Sequence, residues 1–323
     1  MRLLKLIPDN TNIGFTRLRF WAFALTALLT LAAVGATFAR GLNLGVDFVG
    51  GLMIEEKFQA PPSLERVRTV VDSLGVGQAS LQQFGDPNTI SIRLPLPEST
   101  DEGATNAVVE RVRTALGREF PGSTFSRVDT VSGKVSNELI QNGLLAVFLA
   151  VLGIAVFSWL RYEWQFGVST FVAIAHDALM TVGFFAITGL EVDLNIVAAM
   201  LAIIGYSIND KIVIDDRIRE NLRKYRKMSL PEIIDLSVNE TLPRTVMTSL
   251  TILLALFALL FFGGHVLRPF TAAMILGVIV GTYSSIYVSS SLLITLGLRT
   301  GPRERKETGL AANAERIAPR EPR

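Results

Sequence analysis

Six stretches of this chain are each long and apolar enough to cross a lipid bilayer, which takes about 20 residues of helix. They lie near Phe20–Phe38, Leu139–Leu160, Phe166–Leu190, Leu194–Ile214, Thr245–Phe262 and Phe270–Leu298. No other feature limits the fold so strongly, because a segment in hydrocarbon must satisfy its own backbone and therefore becomes a helix. The composition agrees, with 50% of the 323 residues hydrophobic, 19% charged and a mean hydropathy of +0.41. Cysteine is absent, which excludes disulfides and thiolate chemistry, so any domain outside the membrane must rest on an apolar core. The formal net charge of +2 gives no reason to expect nucleic acid as a partner.

The placement of positive residues sets an expected orientation, since these are retained on the cytoplasmic side. Arg2, Lys5, Arg17 and Arg19 precede the first span; Arg217, Arg219, Arg223, Lys224, Arg226 and Lys227 separate the fourth from the fifth; Arg299, Arg303, Arg305 and Lys306 follow the sixth. The connection around Glu191 has no Lys or Arg, and the fifth-to-sixth has only Arg268. Both termini are thus expected in the cytoplasm and the long segment after the first span outside. Arg17, Arg19 and Ala36-Thr-Phe-Ala39 give the first span a signal-peptide look, but its length and the five later spans favour an uncleaved anchor.

The expected division is a cytoplasmic N-terminus over 1–19, transmembrane helix 1 over 20–40 and a periplasmic domain over 41–136. Helices 2–6 follow over 137–298, with a cytoplasmic loop at about 215–243, and then a disordered cytoplasmic tail over 299–323. In that loop, Ser229 and Glu232 at capping-box spacing predict a short amphipathic helix with Ile233, Ile234 and Leu236 as its apolar side. In the outside segment, Leu52, Ile54, Glu56 and Phe58 alternate as a strand, and Leu64, Val67, Val70, Val71 and Leu74 follow helical spacing. Ile90, Ile92 and Leu94 alternate again, and Val108, Val112, Ala115 and Leu116 mark a second helix. Weaker strands at Ala79–Phe84 and Thr124–Val131 complete a βαββαβ order. The fold class is therefore a polytopic α-helical membrane protein with one ferredoxin-like α+β domain between helices 1 and 2.

Within the fourth span stand Asn209, Asp210 and Lys211, and ionisable groups at that depth are costly enough to point to function. Ala198, Ala202, Gly205 and Asn209 recur every three or four residues, a small-residue stripe that suits close approach of another helix. Asp210 lies beside that face and is expected to point into the bundle, with Lys211 as a local charge. At the start of the fifth span Pro243 and Arg244 lead into Thr245, Thr248, Ser249 and Thr251. Arg244 reads equally as a fixed charge acting on Asp210 or as an anchor that snorkels to the headgroups; Thr248 and Thr251 extend a polar stripe suited to water. His176-Asp177 sits mid-way along the third span as intramembrane polar support. Gly277, Gly281, Ser284, Ser285, Ser289, Ser290 and Ser291 make the sixth span suited to tight packing.

Taken together, these residues resemble the SecF branch of the SecD/SecF family, within the resistance-nodulation-division (RND) superfamily. The resemblance rests on Gly45-Val-Asp47-Phe48-Val-Gly50-Gly51, His176-Asp177 with Gly183-Phe-Phe, and Gly205-Tyr206-Ser207-Ile-Asn209-Asp210. It is carried further by Asp216-Arg217-Ile-Arg219-Glu220-Asn221, Leu242-Pro-Arg-Thr245, Thr248-Ser-Leu-Thr251 and Gly281-Thr-Tyr-Ser-Ser-Ile286. Two positions depart from the pattern: Lys211 stands where the family often has Thr or Ser, and Val49 replaces the usual Thr.

The resemblance implies a multi-pass subunit of the cell inner (cytoplasmic) membrane that acts with SecD beside the SecYEG channel, with other accessory translocase subunits possible as partners. It implies use of the proton-motive force to draw unfolded secreted polypeptide outward, with protons handled at Asp210 and Arg244 together with Asn209 and Lys211. A further intramembrane acid is expected from SecD. No nucleophile, metal cluster or phosphate loop appears, so no catalytic residue, metal or cofactor is expected and an enzyme is the least favoured class. An RND-type small-molecule exporter and a passive membrane assembly scaffold are the alternatives.

Overall fold

The computed structural model describes residues 8, 11–77, 79–83, 86–96, 102–264 and 266–298. The tail expected over 299–323, the positive residues Arg2 and Lys5, Phe84 of a weak strand and His265 lie outside the described residues.

All six apolar stretches are helical, in segments of 25 to 33 residues, and the chain is a multi-pass membrane protein. They are α1 (Arg19–Arg40), α5 (Gly133–Arg161), α6 (Trp164–Thr188), α7 (Leu194–Lys224), α8 (Leu230–Phe262) and α9 (Arg268–Tyr283), the last continued by α10 (Ser290–Thr295). Hydropathy marks only the part of a helix that lies in hydrocarbon, while backbone hydrogen bonding runs on until something caps it. So α6 stops at Gly189, whose left-handed φ of 68° only glycine takes readily, and α7 starts at Asp193, whose side chain accepts the Ile196 N–H at 3.2 Å.

One sequence expectation needs correction. The amphipathic helix at Ser229 and the fifth span are one helix, α8, which passes through Pro243. A proline inside a helix costs about 3 kcal/mol, so tertiary contacts must hold the two halves in line. They do so before the proline, where Asn239 exchanges hydrogen bonds with the Ile13 backbone at 2.9 and 2.8 Å and Asp235 accepts from Thr16 N and Oγ1 at 2.8 Å. The capping box itself is present, with Glu232 accepting from Ser229 N at 2.9 Å and Oγ at 2.7 Å.

The sixth span is present and widens within its length into a π-helical turn over Ser284–Ser289. Serine hydroxyls compete with amides for backbone carbonyls: Ser285 Oγ donates to the Thr282 carbonyl at 3.0 Å and Ser290 Oγ to that of Ser285 at 2.9 Å.

Between α1 and α5 the α+β domain begins with a short helical turn, α2 (Val46–Val49), and then follows the expected order. Its elements are β1 (Gly51–Lys57), α3 (Leu64–Asp72), β2 (Ser80–Gln83), β3 (Thr89–Leu94), α4 (Glu102–Glu119) and β4 (Thr124–Val131). The antiparallel sheet runs β2-β3-β1-β4, with Leu52 opposite Leu94 and Ile54 opposite Ile92. These four and Ile90 pack beneath Val67 and Val71 of α3 and Val112 and Leu116 of α4, all nearly inaccessible. Each such side chain contributes about 1.5–3 kcal/mol by leaving water, which supplies the core that a domain without disulfides requires. Glu56 shares the β1 face of Leu52 and Ile54, and burial pushes its carboxyl above the usual range, while the Ser123 hydroxyl and Arg113 pull it back. The alternate face, carrying Met53, Glu55 and Arg93, turns toward the bundle.

Candidate functional site

The α+β domain joins the helices through a polar seam at the start of α7. Leu44 and Val192 form a two-residue bridge: Gly45 N–H donates to the Val192 carbonyl at 2.8 Å and Val192 N–H to the Asn43 carbonyl at 2.8 Å. Arg93 of β3 reaches Glu191 at 3.0 Å and the Leu44 carbonyl at 2.7 Å. Burial raises the Glu191 carboxyl above its ordinary value, with Arg93 acting against it, and burial likewise raises Asp193. Asp47 Oδ2 accepts the Leu194 N–H at 2.9 Å, adding a second carboxylate to the positive end of α7. The two glycines that follow have a physical reason: Gly50 and Gly51 take φ of 75° and 121°, and a Cβ on Gly51 would stand 2.8 Å from the Leu94 carbonyl oxygen.

Farther along α7 the polar residues divide between two sides of the helix. Asp210 is 2% exposed, and its Oδ2 has no hydrogen-bond partner among the described residues. It lies within electrostatic reach of the Tyr206 hydroxyl and of Arg244 on α8, without a direct ion pair. Tyr206 connects onward to Ser249 at 2.6 Å, which meets Thr282 at 2.9 Å. A hydroxyl chain thus links α7, α8 and α9 beside Asp210.

On the other side stand two closed networks. Lys211 Nζ donates to Asp215 Oδ2 at 2.7 Å and to Ser169 Oγ of α6 at 3.0 Å, with both charged side chains 2% exposed. Lys211 is therefore partnered by Asp215 rather than by Asp210. Asp177 Oδ2 accepts from Ser207 at 2.6 Å and from Ser284 of the π-helical turn at 2.9 Å, while Oδ1 meets His176 Nδ1 at 3.0 Å. The ring's Nε2 is buried without a partner among the described residues. Close helix approach brings these groups together, since a Cβ on Gly277 would run into Ile203 and one on Gly281 would stand 3.1 Å from Ser207.

The small-residue stripe on α7 behaves differently from expectation. Ala198, Ala202, Gly205 and Asn209 are all exposed, and a Cβ on Gly205 would meet nothing within 4 Å. The chain's own helices cover both of the sides that carry Asp210 and Ser207 and leave this face open. Arg244 is exposed as well. Thr248 and Thr251 donate to the Arg244 and Met247 carbonyls at 2.5 and 2.8 Å, and it is Ser249 that meets Tyr206 and Thr282.

At the far end of α7, Asp216 accepts the Tyr162 hydroxyl at 2.9 Å, and Arg217 pairs with Glu240 at 2.7 Å and Glu220 at 2.6 Å. Arg219 lies over the Tyr162 ring. Phe48 and Val49 belong to the α2 turn, where Val49 is 63% exposed. Sequence reasoning missed Ser169, Asp215 and Thr282 as partners. The Lys211–Asp215 spacing of four residues was a usable signal; the others come from distant helices.

Comparison with known proteins places this arrangement among relatives. Residues 112–299 match the family described as protein export membrane protein SecD/SecF, C-terminal, and residues 35–61 match the SecD/SecF GG motif. The chain is 41% identical over 317 residues to a protein translocase subunit SecF of Cereibacter sphaeroides, covering 95% of this chain and 96% of that one. A protein translocase subunit SecF of Rickettsia akari is 40% identical, over 90% of this chain and 94% of its own. Among solved structures, SecDF of Thermus thermophilus, a translocon-associated membrane protein, superposes with a TM-score of 0.82 at 35% identity over 91% of this chain. A SecDF structure in a super-membrane-facing form gives 0.65 at the same 35% identity, over 89% of this chain. This chain spans only 40% and 39% of those two SecDF chains.

Proposed function

The chain belongs to the SecD/SecF protein-export family, on its SecF side, and from that premise we propose that it is a proton-driven accessory subunit of the Sec export machinery. It acts with SecD beside the SecYEG channel, in the cell inner membrane, with both termini in the cytoplasm and the α+β domain in the periplasm. The positive residues of the α7–α8 turn, and their scarcity around Glu191, support that orientation.

The observation that carries this reading is the open stripe on α7 beside Asp210 and Arg244. Small residues let a second helix approach closely, and an Asn amide in hydrocarbon needs a partner. A second membrane subunit covers that face and supplies a further acid. The greater length of the SecDF chains supports such cover, because most of their sequence lies beyond the stretch matched by this chain.

Protonation of Asp210 removes its attraction to Arg244, and the helices around the Tyr206–Ser249–Thr282 chain repack. Because α7 is unbroken from Leu194 to Lys224, the change reaches Asp47 and the seam with the α+β domain. One charge crossing 100 mV is worth about 2.3 kcal/mol, enough to bias a two-state equilibrium by roughly 50-fold. The unequal superposition on the two SecDF structures supports a family whose members adopt more than one arrangement.

The test uses membrane vesicles holding the full chain with its translocase partners. Asp210→Asn is expected to abolish force-dependent release of a secreted protein while the complex still assembles; release at the wild-type level would refute the reading. A passive scaffold is the second reading, and the closed networks of Asp177 and Lys211 favour it for those residues. Under it, Asp210→Asn would weaken assembly and leave proton flux without a separate defect.

A further inference from the structure

At the end of the bundle away from the α+β domain, α7 and the end of α5 border an open cleft of about 580 Å³ lined by Arg161, Asp216, Arg219, Glu220, Arg223 and Lys224. Its two acids are already engaged, Asp216 by the Tyr162 hydroxyl at 2.9 Å and Glu220 by Arg217 at 2.6 Å. Its four cations outnumber its two acids.

Two of them share a single ring. Arg161 lies 5.1 Å and Arg219 5.6 Å from the Tyr162 centroid. Arg219 Nη1 donates to the Arg161 carbonyl at 3.4 Å; its Nε is buried without a hydrogen bond among the described residues, with Glu163 no closer than 3.9 Å. Beyond the acids already in the lining, a further anion would ease the repulsion among these like charges. Near Arg161 in sequence, Trp159, Leu160 and Trp164 are 62%, 82% and 50% exposed, apolar and aromatic residues of the kind that line a membrane interface.

We propose that this cleft is a headgroup site for an anionic diacyl phospholipid, the phosphate seated among Arg161, Arg219, Arg223 and Lys224 and the acyl chains lying against Trp159 and Leu160. A basic pocket between helices at the membrane boundary is suited to that chemistry. The apolar rim selects a lipid over a free anion, which gains nothing from it.

Native mass spectrometry of the full chain, released from micelles doped with phosphatidylglycerol or phosphatidylcholine, tests the site. Retention of phosphatidylglycerol over phosphatidylcholine is expected. Arg161→Gln and Arg223→Gln are each expected to weaken it about fivefold, the usual worth of one interfacial cation. Arg223 is exposed, so its loss does not threaten folding. The control is the double variant Arg226→Gln/Lys227→Gln, which removes more charge from the exposed turn outside the cleft and is expected to leave retention unchanged. Equal losses in control and cleft variants would reduce the effect to bulk attraction and overturn the site. So would undiminished retention in the cleft variants, or equal retention of phosphatidylcholine. Displacement of the lipid by millimolar inorganic phosphate would overturn the lipid assignment.

Discussion

The Asp47 carboxylate accepts the Leu194 backbone N–H at 2.9 Å across 147 residues of sequence, and so caps the helix that carries Asp210. The acid of the glycine motif thus ties the entry to the α+β domain to the first turn of α7. Losing such a cap costs about 1 kcal/mol. Asp47→Ala is expected to lower thermal stability and to speed hydrogen exchange at Leu194 and Asn195, whereas Asp47→Asn, which still accepts a hydrogen bond, largely spares both. Unchanged exchange in Asp47→Ala would rule out the capping role.

Gly51→Ala places a methyl group at a φ of 121° against the Leu94 carbonyl oxygen. The backbone term alone is about 1 kcal/mol, and the clash adds to it. Limited proteolysis should cut between α2 and β1 faster in this variant, and Gly35→Ala, where a Cβ meets nothing within 4 Å, serves as its neutral control. Equal rates in the two variants would count against the close approach.

Lys211 and Asp215 should behave as a unit. Removing one partner of a buried ion pair costs about 3–5 kcal/mol, while replacing both with apolar residues is often neutral. Lys211→Met and Asp215→Leu are each expected to destabilise the solubilised chain strongly, and the double variant to recover most of the loss. Additive losses in thermal unfolding would show that the two residues are not coupled.

The Glu191 carboxyl is raised by burial. A raised folded-state value favours the protonated form, so this stabilising contribution is full below the ordinary glutamate range and is lost as pH climbs through the raised value. Wild-type protein should therefore lose melting temperature between pH 4 and neutrality by a margin that Glu191→Gln reduces, measured against about 4.3 as the unfolded reference. Identical pH profiles for the two would exclude Glu191 as the source.

Local periodicity made much of this fold readable. Val67 and Val71 at helical spacing, and Ile90 and Ile92 in alternation, meet in one core because each pattern records which side of its element leaves water. What needed three dimensions was the identity of neighbours. Asp210 and Lys211 are adjacent in sequence yet belong to different networks, since successive helical residues project about 100° apart. Ser249 and Thr282 join Tyr206 only through the packing of α8 and α9 on α7. The helix through Pro243 was hidden for a related reason: propensity argues for a break there, and contacts from Ile13 and Thr16 outweigh it.

The uninterrupted course of α7 has a kinematic consequence. A helix gripped at Leu194 by one domain and at Arg217 by its neighbours is held at both ends, so under the proposed function a local change is expected to turn it about its long axis. A turn of 20° sweeps a side-chain tip on a cylinder of roughly 5–6 Å radius through about 2 Å. That arc is comparable to the difference between a hydrogen bond and a gap, so under the proposed function a small torque at the Asp47 end is expected to connect or disconnect Asp210 far along the same shaft.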